Sequence, residues 1–178
     1  MKVLLHTCCA PCLLAPLEEL LKKDFSVTGF FYNPNIHPFS EYKLRKTAVK
    51  DLAEKKNLEV VFPEYGLEDF FRQVVGHETQ PERCSICWRM RLVATAREAK
   101  AKGFESFTTT LLVSPYQDIN IIKEIGEEVA RASGVNFYYQ DFRPLFKKAH
   151  EEAKKQGIYC QKYCGCVFST KPRVTERK

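Results

Sequence analysis

The chain has 178 residues, a length that suits a single domain with one hydrophobic core. Hydrophobic residues make up 44% of the sequence and charged residues 28%, which is ordinary for a soluble globular protein. No apolar run is long enough to span a bilayer, and the N-terminus lacks the apolar stretch and cleavage site of a signal peptide. We therefore expect a cytoplasmic protein with one domain over residues 1–178 and no membrane partner.

The net charge is +6, and much of the excess positive charge lies in two places. A positive balance is compatible with a nucleic-acid partner, although a solvated helix face and an irregular tail explain the same residues. One group precedes the last cysteines, and the other forms a basic tail over about residues 169–178. The two groups are Lys147, Lys148, Lys154, Lys155 and Lys162, and then Lys171, Arg173, Arg177 and Lys178.

The predicted elements alternate between strand and helix along the chain. Strands are predicted over residues 2–6, 25–32, 58–62, 107–112 and 135–142. Helices are predicted over about 12–23, 40–56, 67–75, 80–102, 118–132 and 144–156. Ser40 and Asp118 are predicted N-caps, and a capping box from Thr79 to Glu82 is predicted to open the fourth helix. This alternation predicts a parallel sheet with right-handed crossovers, flanked by helices.

Several polar residues follow the predicted strands, at the edge where such sheets bind ligands. Cys8 and Cys9 come directly after the first strand. Asn33 follows the second strand, Ser114 the fourth, and Asp141 lies near the end of the fifth. The pattern therefore predicts a functional site at the carboxyl edge of the sheet.

The 8 cysteines are the most informative feature of the sequence. In a reducing cytosol, clustered cysteines bind metal or perform redox chemistry more often than they form structural disulfides. They fall into three groups, the last of them in a cysteine-rich C-terminal segment. The groups are Cys8, Cys9 and Cys12, then Cys84 and Cys87, and finally Cys160, Cys164 and Cys166.

The spacing and position of the first two groups suit metal ligands. Cys84 and Cys87 share one face of a helix at its first turn, where free amides and the helix dipole stabilise thiolates. Cys8 and Cys9 can converge at a strand-to-helix turn, so that the two pairs supply the four thiolates of an iron–sulfur cluster. Structural zinc suits four thiolates equally well, although the spacing departs from the usual zinc-finger template.

Cys164 and Cys166 flank a glycine, and this spacing can close a small, strained disulfide that is easily broken and remade. A redox-active dithiol is one interpretation of the pair, and ligation of a second metal is the other.

The remaining polar candidates are less specific. Asp141 could be an acid or metal ligand, but a cap or a salt bridge to Arg143 is the simpler interpretation. Tyr116 and Tyr163 could donate protons or stack on bases, but side-chain packing is the simpler interpretation of both. His6 is expected in the core, and the other histidines are expected at the surface: His37, His77 and His150.

Four segments together resemble the epoxyqueuosine reductases of the QueH type, over residues 3 to about 168. They are residues 5–12, 82–92, 109–117 and 159–166. The double cysteine and the Cys-Gly-Cys are the specific parts of the match. The resemblance implies a Rossmann-like (HUP-like) α/β fold, a 4Fe–4S cluster and a tRNA substrate that carries epoxyqueuosine. The Ser-Gly-Gly loop of ATP-using relatives of this fold is absent after the first strand, so we do not expect ATP to be used.

By motif, the resemblance implies that Cys8, Cys9, Cys84 and Cys87 hold the cluster, while Cys164 and Cys166 form the redox-active pair. It also implies a further metal ion, iron or zinc, for which the candidate ligands are Cys12, Cys160 and Asp141.

The reaction implied is removal of the epoxide oxygen to leave an alkene and water, with electrons from an external donor. Two other functions stay open. An iron–sulfur-dependent tRNA sulfur-transfer enzyme would bind ATP, and a zinc-stabilised RNA-binding module would be colourless.

Overall fold

The computed structural model describes residues 1–170. Within them lie five strands: β1 (Lys2–His6), β2 (Ser26–Phe30), β3 (Val60–Val61), β4 (Ser106–Thr109) and β5 (Asn136–Phe137). The α-helices are α1 (Ala10–Lys22), α2 (Phe39–Lys55), α3 (Leu67–Val74), α4 (Glu82–Ala101), α5 (Ile119–Ser133) and α6 (Phe146–Lys155). Short 3₁₀ turns occupy Thr110–Val113, Arg143–Leu145 and Val167–Thr170.

All strand pairs are parallel, and the strand order is β3-β2-β1-β4-β5. This is the order of a doubly wound sheet, and it confirms the predicted Rossmann-like α/β fold. The central strand β1 shows why the sheet needs helices on both faces. Val3 and Leu5 pack with α1, α2 and α6, whereas Leu4 packs with α4 and α5 on the other face. All three side chains are fully buried.

Every strand after β1 is shorter in the structure than predicted, and the ends of β4 and β5 affect where site residues lie. The predicted strand 107–112 ends at Thr109, where the threonine side chain accepts a hydrogen bond from the Leu111 amide and opens a 3₁₀ turn. Strand β5 pairs only with β4 and ends at Phe137, opposite Phe107, before β4 itself ends at Thr109. The prediction that a strand reaches Phe142 is therefore wrong, and Asp141 does not lie at a strand end.

The predicted helix caps have mixed outcomes. Asp118 caps α5 as predicted, because its Oδ1 accepts from the amides of Asn120 and Ile121 at 3.0 and 3.2 Å. The capping box at the start of α4 is wrong, since Pro81 occupies the N-cap and no side chain caps that end. The N-cap prediction for α2 is also wrong, since the helix starts at Phe39 and Pro38 rather than Ser40 is its N-cap.

No helix within residues 1–170 is long and apolar enough to cross a membrane. The start of the predicted basic tail, at Ser169, belongs to a 3₁₀ turn. Its charged residues, Lys171, Arg173, Arg177 and Lys178, lie outside the described part of the chain.

Candidate active site

A cavity of about 400 Å³ opens at the carboxyl edge of the sheet, where the sequence predicted a site. Its walls come from the N-termini of α1 and α4, the segment between β4 and α5, and the C-terminal segment. The structure brings six cysteines from all three sequence groups to this one cavity. They are Cys8, Cys12, Cys84, Cys87, Cys164 and Cys166.

The tightest group of thiols lies at the start of α1. Cys9 is the N-cap of the helix, and Cys12 follows in its first turn. The sulfur atoms of Cys8, Cys9 and Cys12 all lie within 4.8 Å of one another, which makes the three residues a possible metal site. Cys8 Sγ and Cys9 Sγ are 3.7 Å apart. The prediction that Cys8 and Cys9 converge at the strand-to-helix turn is thus confirmed, and Cys12 joins them.

The hydroxyl of Thr110 fixes Cys8 in this position. It accepts from the Cys8 amide at 3.0 Å and donates to Cys8 Sγ at 3.2 Å. From the other side of the trio, Gln161 Nε2 donates to Cys9 Sγ at 2.9 Å. Both contacts stabilise negative charge on sulfur, because hydrogen bonds to a charged acceptor are the stronger ones.

The three thiols differ in their tendency to ionise. Hydrogen bonding from Cys12 and Cys9 holds the pKa of Cys8 well below its usual value. Burial raises the pKa of Cys9, and the hydrogen bonds to Cys8 and Cys9 raise that of Cys12. Of the three thiols, Cys8 therefore ionises most readily, and it lies at the positive end of α1.

The second pair, Cys84 and Cys87, lies in the first turns of α4 as predicted. Both residues line the cavity, but the structure gives no group of three ligand atoms within 4.8 Å that includes them in residues 1–170. Burial raises the pKa of Cys87 to about 11. Cys87 packs with Cys166 in a small apolar cluster that also contains Phe70 and Met90.

The C-terminal pair lies across the cavity from the trio. Cys164 is exposed and its Sγ lies 3.2 Å from Ser169 Oγ, whereas Cys166 is 6% exposed. Both are free thiols. Gly165, between them, has a φ of +113°, and a Cβ there would lie 2.9 Å from Ile36 Cγ1. Glycine is therefore required at this position by both conformation and space.

Arg45 on α2 holds the loop that carries this pair. Its guanidinium donates to the carbonyl of Cys164 at 3.0 Å and to that of Tyr163 at 2.9 Å. The same group donates to Glu41 Oε1 at 2.7 Å, and Glu41 Oε2 accepts from the Tyr159 hydroxyl at 2.6 Å. The side chain of Arg45 is 2% exposed, so these contacts form in a dry environment.

The cavity wall is also positively charged. Arg45, Arg83 and Arg91 line it, and all three are buried. Arg91 is 4% exposed, and its Nε donates to the Cys87 carbonyl at 3.1 Å. Within residues 1–170 it forms no ion pair with a carboxylate. A buried guanidinium without a counter-ion is costly, so this cavity suits an anionic occupant.

Two candidates for the second metal are not brought into the cavity. Asp141 is bound to Arg143, whose Nη2 donates to its Oδ2 at 2.6 Å, as the simpler interpretation predicted. This contact holds the pKa of the Asp141 carboxyl below its usual value. Cys160 is half-buried, and its Sγ donates to the carbonyl of Ile158 at 3.4 Å. Cys12, the third candidate, lies in the trio.

The histidine predictions were right for the core residue and wrong for one other. His6 is fully buried, and burial lowers its pKa to about 4, so the ring is neutral. His37 is also buried, between the rings of Phe70 and Phe71. Its backbone carbonyl accepts a hydrogen bond from the Tyr163 hydroxyl, so it supports the C-terminal loop.

Sequence analysis missed several cavity residues. Thr110 and Gln161 lie in the segments 109–117 and 159–166 of the family resemblance, which gave neither residue a role, and Arg45 lies in no such segment. All three are far along the chain from the cysteines that they contact. Asp118 contributes a carboxylate to the cavity wall, although it was predicted only as a helix cap. The spacing of Cys9 and Cys12, three residues apart at a helix start, was a usable signal, because N-cap and third-position side chains meet there.

Comparisons with known proteins agree with this geometry. Residues 3–172 match the family model described as epoxyqueuosine reductase QueH. A relative of that name from Thermotoga maritima is 40% identical over 175 residues, which cover 94% of this chain and 89% of the relative. Another, from Dehalococcoides mccartyi, is 36% identical over 169 residues, covering 94% and 92% of the two chains.

Among solved structures, a predicted subunit of a tRNA methyltransferase from Methanocaldococcus jannaschii superposes with a TM-score of 0.51. Its sequence is 13% identical, and the match covers 88% of each chain, so this likeness supports the fold alone. The family match, by contrast, covers the segments that carry all three cysteine groups. The resemblance stated from the sequence motifs is confirmed, and this chain belongs to the epoxyqueuosine reductase QueH family.

Proposed function

We propose that this protein is an oxidoreductase that reduces epoxyqueuosine to queuosine at the wobble position of tRNA. Membership in the family supports the reaction. The observation that carries the proposal is the convergence of six cysteines on one cavity beside the buried guanidinium of Arg91, which lacks a carboxylate partner within residues 1–170. Thiols are the residues that both bind iron–sulfur clusters and exchange electron pairs.

The donor set fits an iron–sulfur cluster. Cys8, Cys9, Cys84 and Cys87 are the proposed ligands, and Cys12 is an additional thiol within reach of the first two. Two helix N-termini and the guanidinium of Arg91 favour negative charge in the same cavity. A cluster bound there would pass single electrons, and the adjacent metal ion proposed from the family resemblance would act as a Lewis acid.

The pair Cys164 and Cys166 accounts for the stoichiometry of the reaction. Removing an epoxide oxygen to leave an alkene needs two electrons and two protons, and the oxygen leaves as water. Oxidation of two thiols to one disulfide supplies both electrons and both protons. The exposure of Cys164 leaves it open to substrate, and an external reductant would then restore the dithiol.

Other cavity residues can bind and orient the modified base. The side-chain oxygens of Asn35 and Gln161 are buried and accept no hydrogen bond within residues 1–170. Because an unpaired buried acceptor is costly, these oxygens suit the N–H and hydroxyl donors of a base that carries a diol ring. The carboxylate of Asp118, in the same wall, can accept a hydrogen bond from the base.

The proposal is tested by anaerobic reconstitution with iron and sulfide, followed by reaction with tRNA that carries epoxyqueuosine. Nucleoside mass spectrometry should show a product lighter by one oxygen atom. Without an added reductant, the prereduced protein should still form product as Cys164 and Cys166 become a disulfide. A colourless protein that retains zinc and yields no product would overturn the proposal.

A further inference from the structure

A second, larger cleft adjoins the active-site cavity. Its volume is about 860 Å³, and it extends from the shared wall toward α6. Cys12, Tyr116 and Cys164 are among the residues that line both spaces. A ligand that reacts in the cavity therefore continues into this cleft if it is larger than one base.

The cleft is basic. Lys147, Lys154 and Lys162 line it with one acidic residue, Glu151. The three lysines are exposed, and within residues 1–170 none of them forms an ion pair. Three ammonium groups on one wall match the charge of a phosphate backbone.

An aromatic row lines the same cleft as the lysines. The ring of Tyr116 contacts that of Phe146 edge-on, with centroids 5.9 Å apart, and Phe146 lies 4.0 Å from the ring of His150. Tyr116 is 83% exposed, the highest value among the exposed large hydrophobic side chains of residues 1–170. A large ring left in water at the mouth of a cavity offers a flat surface on which a base can stack.

The backbone that presents Tyr116 is fixed, although its ring is exposed. The indole N–H of Trp88 donates to Gln117 Oε1 at 2.7 Å, and the Tyr116 amide donates to Ser114 Oγ at 3.3 Å. Asp118 caps the helix that follows. The segment that carries the ring is thus anchored on both sides of Tyr116, as a stacking platform requires.

We propose that this cleft binds the single-stranded RNA next to the reacting nucleotide. A base on Tyr116 would stack while Lys147, Lys154 and Lys162 hold its neighbouring phosphates. The proposal rests on the proposed function, since the reacting base must occupy the cavity. Enzymes that act on a base take it out of its stack, and an aromatic platform restores the stacking that its neighbour loses.

The experiment measures binding of tRNA that carries epoxyqueuosine, at several salt concentrations, to the wild type and to variants reconstituted with iron and sulfide. Tyr116→Ala should bind roughly five- to 150-fold more weakly, the range found when one stacked base loses its platform, and Tyr116→Phe should bind like the wild type. Changing the three cleft lysines together to Gln should flatten the log–log salt slope by about 0.7 for each phosphate that the protein no longer neutralises.

The matched control replaces Lys55, Lys56 and Lys100 by Gln, which removes the same charge at the far end of the sheet. These lysines are exposed near the C-termini of α2 and α4, whereas the cavity lies at helix N-termini. The control should bind tRNA with the wild-type salt slope. Circular dichroism and iron content should match in all variants.

The possible failures are distinguishable. If the wild type converts epoxyqueuosine but the Tyr116 and lysine variants bind tRNA normally, the cleft proposal is wrong and the proposed function stands. If the lysine variant binds tRNA normally but loses turnover with a protein reductant, the cleft serves that reductant, and our assignment to RNA is wrong. If the wild type neither binds nor converts the tRNA, the proposed function fails, and the cleft proposal fails with it.

Discussion

Replacing Arg45 by Gln tests whether the loop of the proposed redox pair is held locally. The two hydrogen bonds from its guanidinium to the carbonyls of Tyr163 and Cys164 join α2 to a loop far along the chain. A hydrogen bond from a charged donor contributes about 1.5–3 kcal/mol, so losing both removes at least about 3 kcal/mol from the closed loop. Since about 1.4 kcal/mol corresponds to a tenfold change in equilibrium, the loop should open at least roughly a hundredfold more often.

Cys166 reports this opening, because it is 6% exposed in the closed loop. Its alkylation rate, followed by mass spectrometry under native conditions in metal-free protein, should rise by about the same factor in Arg45→Gln. Arg45→Lys should recover only part of the protection, because an ammonium group cannot donate to two carbonyls and a carboxylate with the same planar geometry. Tyr159→Phe should have a small effect, since it removes one hydrogen bond to Glu41 and leaves the guanidinium in place.

Global unfolding must be separated from local opening. Breaking the buried Arg45–Glu41 pair should itself lower the free energy of unfolding by about 3–5 kcal/mol. The matched control is Arg72→Gln, whose ion pair with Asp69 is largely exposed and should contribute little. If Cys166 is alkylated in Arg45→Gln only as fast as the more deeply buried thiol of Cys9, the loop opens only with the whole protein. That result would refute a local role for Arg45.

Three further predictions concern the site. Replacing any proposed cluster ligand by Ser should remove iron from the reconstituted protein. Replacing Cys164 or Cys166 by Ser should leave the iron content unchanged and stop turnover, which iron and product analysis will measure. The ligands to test are Cys8, Cys9, Cys84 and Cys87. Asp118→Asn preserves the N-cap, so the variant should be as stable as the wild type but react more slowly. Comparing its rate with that of Asp141→Asn decides which of the two carboxylates the reaction needs. Burial lowers the pKa of His37, so the free energy of unfolding should fall as the pH drops below about 6.5, and His37→Leu should lessen this dependence in urea titrations.

The sequence predicted the elements whose signals are local. The apolar run of β1 and the helical periodicities were enough to predict the parallel sheet and its carboxyl-edge site. Strand ends at the sheet edge were not predictable in the same way. Strand β5 has a partner on one side only and ends at Phe137, and a propensity pattern does not show where its pairing with β4 stops.

In the candidate site, too, only the features with local sequence signals were predictable. Cysteine spacing located the thiols, because residues three apart at a helix start share a face wherever the helix lies. The contacts that hold them could not be predicted, since Arg45 meets Cys164 and Gln161 meets Cys9 only after the chain has folded. The prediction for His37 was wrong for a related reason. Its burial comes from the rings of α3, which its own neighbours in the sequence do not reveal.

Arg91 shows how the protein's stability and its cofactor binding should oppose each other. Its guanidinium is buried beside the thiols and meets no carboxylate within residues 1–170. In the metal-free protein this charge is a cost, so Arg91→Met should leave the free energy of unfolding unchanged or raise it, although the hydrogen bond to Cys87 is removed. With an anionic cluster bound, the same charge is an attraction. Arg91→Met should then lose iron faster to a chelator, measured from the visible absorbance under anaerobic conditions. A variant that is less stable without metal yet retains iron like the wild type would show that Arg91 is only a structural residue.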